Sequence, residues 1–211
     1  WIPLMDITLE GLTLFVSLVL IAVTCIMMGA GLPTTALYIM LVTVAQPTLA
    51  NMGIPALASH LFVLYYGVIS EITPPVCASA YAAAAIAGSN PLKTGISAFT
   101  LGIGKLVVPM VFVYSPAMLI VLDDYFTWSE FLLTTFTCAI GIGILGIAIT
   151  GYFLTKTPAA FRGLAVLSGV LVVAPGLDSD IWGAALLVPI IFQQVMSRRR
   201  EVTVLRVSGS D

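Results

Sequence analysis

The chain has 211 residues, of which 60% are hydrophobic and 9% charged, against roughly 25% charged in an ordinary soluble domain. Mean hydropathy is +1.12. Eight basic and ten acidic side chains are too few to cover a soluble domain of this size, which excludes a soluble enzyme, a nucleic-acid binder and a disordered tail.

The apolar runs are continuous for about 20 residues instead of alternating, so a transmembrane β-barrel is excluded as well. What remains is an all-α polytopic membrane protein in contact with lipid. A net charge of -2 names no partner. Cys25, Cys77 and Cys138 lie far apart in apolar runs and read as small buried hydrophobes. With His60 the single histidine, no transition-metal site is expected. The 18 glycines and 12 prolines are the unusual feature, because they cluster.

In chain order, the first apolar run, about Leu12 to Met28, reads as a span. Gly29-Ala30-Gly31-Leu32-Pro33-Thr34-Thr35 follows it. Ala36 to Ala45 is too short to cross, since about 20 residues are needed, and Gln46-Pro47 is expected to break it. A short piece then leads to Gly53-Ile54-Pro55. This predicts a re-entrant hairpin over about 29–55, two half-helices that enter and leave on one side. Such backbone is tolerated at membrane depth only where protein or a wet cavity surrounds it.

Ala56 to Ile69 and Val76 to Ala87 are each too short to span, but together they are long enough. Between them lie Ser70-Glu71-Ile72-Thr73-Pro74-Pro75. Two prolines remove backbone donors and push Thr73 and Pro74 away from helical geometry, so residues 56–88 read as one discontinuous helix. Its alanine-rich second half allows close approach of a neighbour. Gly88-Ser89-Asn90-Pro91 ends it. An arm is expected over 91–105 and a span over 106–122, containing Pro109 and Pro116 and closed by Asp123-Asp124.

Phe126-Thr127-Trp128-Ser129-Glu130 reads as an interfacial loop with aromatic anchors. Residues 123–197 then hold additional transmembrane helices, about Phe131 to Leu154, Leu164 to Ala174 and Ile181 to Met196. The first carries Gly141, Gly143 and Gly146 as a small-residue packing face. Pro175-Gly176-Leu177-Asp178-Ser179-Asp180 separates the last two. Residues 198–211 read as a polar, basic cytoplasmic tail. Arg198 to Arg200, Lys156 with Arg162, and Lys93 with Lys105 are expected on one side, and Asp123, Asp124, Asp178 and Asp180 on the other. The positive-inside rule puts the basic side in the cytoplasm, so the hairpin opens from the outer face. Lys105 is expected to snorkel to the cytoplasmic surface, and His60 reads as an interfacial polar residue.

The two breaks carry the chemistry. A hairpin followed by an interrupted helix is how secondary transporters build a midplane site, with freed carbonyls for a cation and half-helix N-termini for an anion. Gly29 and Gly31 permit unwound backbone, and Pro33 suits the start of a half-helix with Thr34 and Thr35 beside it. Glu71 is the only acid well inside an apolar segment. It could line the cavity, neutralise a cation, carry a proton, or pair with Lys105 as a structural ion pair.

Gly29 through Tyr38, Ile72-Thr73-Pro74-Pro75-Val76 and Pro91-Leu92-Lys93-Thr94-Gly95 together resemble the large membrane subunit of tripartite ATP-independent periplasmic (TRAP) transporters. Tyr66-Gly67-Val68-Ile69 onward and Phe112-Val113-Tyr114-Ser115-Pro116-Ala117 look closest to the fused permeases that work with TAXI-type binding proteins. The resemblance implies an elevator-type, Na⁺-driven importer, not an enzyme, in a bacterial or archaeal cytoplasmic membrane. It implies two inverted repeats, of which residues 1–122 hold one. The other repeat and the small-subunit helices are expected upstream, fused to a chain that begins at Trp1 and reads as a C-terminal portion.

An extracytoplasmic binding protein of TAXI type would deliver a small organic anion, typically a carboxylate. The resemblance places Gly29, Gly31, Thr34, Thr73 and Pro74 at a Na⁺ site, and Thr35, Glu71 and Pro75 beside the substrate. No cofactor beyond the coupling Na⁺ is implied, and no nucleic acid. The absence of a phosphate-binding Gly-x-x-x-x-Gly-Lys-Ser/Thr loop agrees with ion-driven transport. Another ion-coupled elevator-type transporter, a membrane scaffold and an intramembrane enzyme are the alternatives. The last would need a nucleophile and base within the spans, whereas His60 and Glu71 share one helical segment.

Overall fold

A computed structural model of the chain describes residues 9–29, 31–122, 125–174 and 177–208. Asp123-Asp124, Pro175-Gly176 and residues 209–211 lie outside the described residues, as do the side chains of Asp178, Arg199 and Arg200. The described elements are α1 (Leu9–Met28), α2 (Thr34–Asn51), α3 (Ala56–Ser70), α4 (Ala78–Ala87), α5 (Pro91–Gly102), α6 (Val108–Tyr114), α7 (Trp128–Thr150), α8 (Ala159–Val173) and α9 (Leu177–Ser208). Short 3₁₀ turns join α5 to α6 at Ile103–Leu106 and follow α6 at Pro116–Met118. Two compact units divide the chain, Trp1–Thr135 and Phe136–Asp211, the boundary falling within α7.

The first unit is built around α3. Helix α2 lays Leu37, Leu41, Ala45 and Leu49, a stripe four residues apart, into the core. This stripe packs on α3 so closely that a Cβ on Gly67 would sit 3.2 Å from the Leu37 side chain. Cys25 of α1 and Phe62, Tyr66 and Ile69 of α3 belong to the same core. Phe62 and Tyr66 stack edge-on at 4.8 Å. The chain turns between α2 and α3 at Gly53, whose φ of 77° suits glycine.

Three findings revise the expected elements. Gln46-Pro47 does not break α2, which runs 18 residues with Pro47 inside it. Pro47 lies on the exposed side, and the buried stripe continues past it, so packing on α3 outweighs the lost hydrogen bond. The hairpin arms are therefore α1 and α2, with their tip at 29–33, in place of two short pieces over 29–55. The apolar run expected at Leu12 to Met28 is the helix α1, Leu9–Met28.

Residues 91–105 are no separate arm. Pro91–Tyr114 is one helical run of 24 residues, apolar enough to cross a membrane, or about 36 Å long. It ends at Tyr114 and not near Leu122, because Pro116 starts a new turn. Its start is well defined: Gly88 at φ 62° closes α4, Asn90 caps α5 by accepting from the Lys93 N–H at 3.0 Å, and Pro91 takes the first helical position.

This run packs antiparallel along the interrupted helix. Gly95 faces Cys77 and Tyr81, and Gly102 faces Ile72. The Leu106 carbonyl accepts the Tyr66 hydroxyl at 2.6 Å, and Phe112 meets Tyr65 edge-on at 5.5 Å. Gly102 is near the middle of the run, so the break beside Ile72 is near mid-depth. Lys93 and Lys105 are not level with each other. Lys93 stands in the first turn, and Lys105 stands in the 3₁₀ turn just past the middle.

In the second unit α8 packs along α9. Here the glycine face expected in α7 is narrower. A Cβ on Gly141 would lie 3.0 Å from the Gly169 carbonyl and against Val173, whereas Gly143 and Gly146 have nothing within 4 Å. Trp128-Ser129-Glu130, expected as loop, form the first turn of α7, with Phe126 and Trp128 in edge contact at 5.1 Å. Helix α9 continues through Ser208, so the expected tail is largely helical. Its arginines and leucine are good helix formers.

Lys156, expected to flank the α7–α8 connection with Arg162, lies within it, and Arg162, in the first turn of α8, has a task there. Its Nε donates to the Ala148 carbonyl and its Nη2 to the Ile149 carbonyl, both at 2.8 Å, satisfying the end of α7. The fully buried Gln194 accepts from the Thr155 N–H at 3.0 Å and donates to the Thr157 hydroxyl at 2.9 Å. Gly141→Leu is expected to destabilise the full-length protein by about 1–3 kcal/mol through overpacking, while Gly143→Leu leaves it near wild type. Thermal midpoints in detergent check the contrast.

Candidate functional site

The α1–α2 tip and the α3–α4 break meet at one place. Ser70, at 1% exposure, lies directly against Gly29, where a Cβ would fall 2.8 Å from the Ser70 Cβ and 2.9 Å from the Cys25 carbonyl. Only glycine allows this approach. Gly31 has φ 84°, and a Cβ there would touch Val76 at 3.6 Å. Ala30 lies outside the described residues.

Glu71 joins the parts. Its Oε1 accepts the Thr34 hydroxyl at 2.6 Å, and its Oε2 accepts the Ser79 hydroxyl at 3.1 Å. Thr34 is the first residue of α2, after Pro33 in the N-cap position, and Ser79 is in the first turn of α4. The half-buried carboxylate thus stands at two helix N-termini, where dipoles and unpaired N–H groups favour negative charge. The ion pair with Lys105, one of the alternatives that the sequence leaves open, is not formed among the described residues.

The break leaves backbone oxygens open. Pro74 and Pro75 cannot donate to the carbonyls of Ser70 and Glu71, and the peptide between them is cis. Thr73 N–H bonds the Ser70 carbonyl at 3.1 Å, and Cys77 N–H bonds the Thr73 carbonyl at 3.2 Å. Among the described residues, the carbonyls of Glu71, Ile72, Pro74 and Val76, and those of Gly31 and Leu32 at the tip, accept no backbone hydrogen bond. Helix α4 begins at Ala78, two residues later than expected, because Cys77 takes a φ of 21°.

The eight residues singled out from the sequence separate here. Gly29, Gly31, Thr34 and Glu71 converge. Thr73 lies in the break, but its hydroxyl turns back to the Ile69 carbonyl at 2.8 Å. The Pro75 carbonyl accepts the Tyr81 hydroxyl at 2.7 Å, and Pro74 is half-buried. Thr35 is exposed and has no side-chain hydrogen bond among the described residues. Sequence reasoning missed Ser70, Ser79 and Tyr81. A lone serine in an alanine run, two helical turns after the acid, was the available signal for Ser79. A separate cavity of about 360 Å³, lined by Gly53, Ser115, Thr127 and Glu130 among others, lies at the far end of the same unit.

The family described as the tripartite ATP-independent periplasmic transporter, DctM component, matches residues 4–126, more than half the chain. The chain belongs to this family. The match takes in both hairpin arms, the broken helix and the packed run, and ends before α7. No curated protein and no solved structure gives a significant match. The chain is therefore part of a TRAP transporter permease, and its site belongs to a transporter family.

A hydrogen bond to a charged group contributes about 1.5–3 kcal/mol, and the Thr34 bond is the shorter of the two. Thr34→Val in the full-length permease is expected to lower the thermal midpoint in detergent more than Ser79→Ala does. Equal midpoints for the two variants would contradict Glu71 as the fastening point of the tip.

Proposed function

We propose that this chain carries one of two inverted repeats of an elevator-type, Na⁺-driven TRAP permease that imports a small organic anion, most simply a carboxylate. The observation that supports the reading is that six carbonyls of the break and the tip, those of Glu71, Ile72, Pro74, Val76, Gly31 and Leu32, accept no backbone hydrogen bond among the described residues. Oxygen ligands suit a hard cation, and unwound backbone at mid-depth is how ion-coupled carriers hold Na⁺. An ionised carboxylate offers about four acceptor sites, and Glu71 uses two, so one face remains for an ion.

In this reading Gly29, Gly31, Thr34, Thr73 and Pro74 form the ion side, mainly through backbone oxygens and the closeness that glycine permits. Thr35, Glu71 and Pro75 border the substrate. The exposed Thr35 hydroxyl and the free N–H groups of the first turn of α2 are donors suited to an anion. Ser79 joins the set as the second hydroxyl on Glu71. The site needs no cofactor beyond the coupling Na⁺. Membership of the family implies an extracytoplasmic binding protein and a small subunit. We take the binding protein to be of TAXI type, the small-subunit helices and the first repeat to be fused upstream, and the location to be the cytoplasmic membrane of a bacterium or archaeon, crossed several times.

The deciding experiment is uptake of labelled small carboxylates into proteoliposomes holding the full-length permease and its binding protein, with Na⁺ or K⁺ outside. Uptake with Na⁺ alone is expected, and equal uptake in K⁺ would overturn ion coupling. Changing Pro74 and Pro75 to Ala restores donors to the Ser70 and Glu71 carbonyls and should abolish Na⁺ stabilisation. A ligand at 100 times its Kd stabilises by about 2.7 kcal/mol, so the wild type should melt measurably higher in NaCl than in KCl. The double variant should show no such difference. Glu71→Gln, which removes the charge and keeps the shape, should shrink it.

A further inference from the structure

Pro74, Pro75 and Val76 form the least tethered stretch of the break. The two prolines have no N–H to give. Among the described residues the Val76 N–H makes no hydrogen bond, and the Pro74 and Val76 carbonyls accept none from the backbone. One hydrogen bond holds the main chain of these three residues to the rest of the described fold: the Pro75 carbonyl accepts the Tyr81 hydroxyl at 2.7 Å.

Tyr81 is placed for this by its helix. Side chains of an α-helix lean towards its N-terminus, so a tyrosine at the fourth residue of α4 reaches back towards the break. Gly95 of the packed run leaves room for the ring, since a Cβ there would lie 3.2 Å from it. The fully buried Cys77 lies against the same glycine. Helix α4 thus grips the break at both ends, Glu71 through Ser79 and Pro75 through Tyr81.

The tether restrains more than one oxygen. A peptide unit is planar, so holding the Pro75 oxygen restrains the plane that joins Pro75 to Val76. Proline locks φ at residue 75, and a single rotation, ψ of Pro75, is left between that plane and the Pro74 carbonyl. The Val76 carbonyl follows on the other side.

We propose that Tyr81 is a positioning residue of the ion site: its hydroxyl holds the Pro75 carbonyl so that the Pro74 and Val76 carbonyls are aimed before Na⁺ arrives, and this tightens Na⁺ binding. The inference rests on the Na⁺ reading above. Ligands that are preset lose less freedom on binding, and the difference appears as affinity.

The test reads the Kd for Na⁺ of the full-length permease in detergent, from the rise of its thermal midpoint as NaCl replaces KCl at constant total salt. Tyr81→Phe keeps the ring beside Gly95 and removes the donor. It should weaken Na⁺ binding about fivefold, the factor to which one ordinary hydrogen bond corresponds. Tyr66→Phe is the control, since it breaks a tyrosine–carbonyl bond of the same unit at 2.6 Å, outside the break. It should lower the midpoint equally in both salts and leave the Kd as it is. An unchanged Kd in Tyr81→Phe, or an equal change in Tyr66→Phe, would make Tyr81 a purely structural tie and overturn the proposal. A wild type whose midpoint does not rise with NaCl would instead overturn the Na⁺ reading, and this proposal with it. Should Tyr81→Phe not accumulate, Tyr81→Leu is judged against the same control.

Discussion

The carboxylate of Glu71, held between two helix starts, is the interaction on which the first unit of this chain depends. Helix α3 cannot continue past Ser70, because Pro74 and Pro75 offer no N–H to the last carbonyls of the helix. The interruption frees acceptors on one side and creates a new set of unpaired donors at α4 on the other. A third element, α2, begins at the same place. An anion is the group that two N-termini attract, and the sequence supplies it from the break itself. Thr34 and Ser79 then fasten tip and second half-helix to one side chain. The closeness this demands is met by Gly29 over Ser70, where no larger residue fits.

The same logic explains which parts were legible beforehand. Consecutive prolines after an acid, and a Gly-x-Gly-x-Pro tip, state their geometry through local backbone rules, and both break where those rules put them. Pro47 obeys no such rule, because a stripe of Leu37, Leu41, Ala45 and Leu49 carries the helix past it. That stripe was visible in the sequence, and its weight depended on a partner helix that was not. Gly141 differs from Gly143 and Gly146 only by what it faces, which spacing cannot tell. Treating 91–105 as an arm also hid the continuity of the run, which reaches Tyr114 with Lys105 just past its middle.

The second unit manages the membrane differently. Its buried polar groups are closed pairwise. Gln194 serves the loop at Thr155 and Thr157, Arg162 serves the end of α7, and Ser168 donates to the Gly183 carbonyl at 2.8 Å. These groups answer each other. The family match ends at residue 126, before this self-satisfied part begins. In the first unit the arrangement is the reverse, with carbonyls at the break and the tip that accept no backbone hydrogen bond among the described residues.

That contrast bears on the role of Glu71. A carboxylate that served only to cap two helices would do best fully buried, with every acceptor site filled. Glu71 is half-buried, holds one hydroxyl per oxygen, and lies in a break where the carbonyls of Ile72, Pro74 and Val76 accept no backbone hydrogen bond among the described residues. In the proposed reading a cation on the remaining face of the carboxylate withdraws charge from both oxygens and so weakens the bonds they accept from Thr34 and Ser79. In that reading, fastening the tip and holding the ion are two uses of one group. Ion binding would then shift the balance that holds α2 against the break, and the hairpin would respond through Glu71.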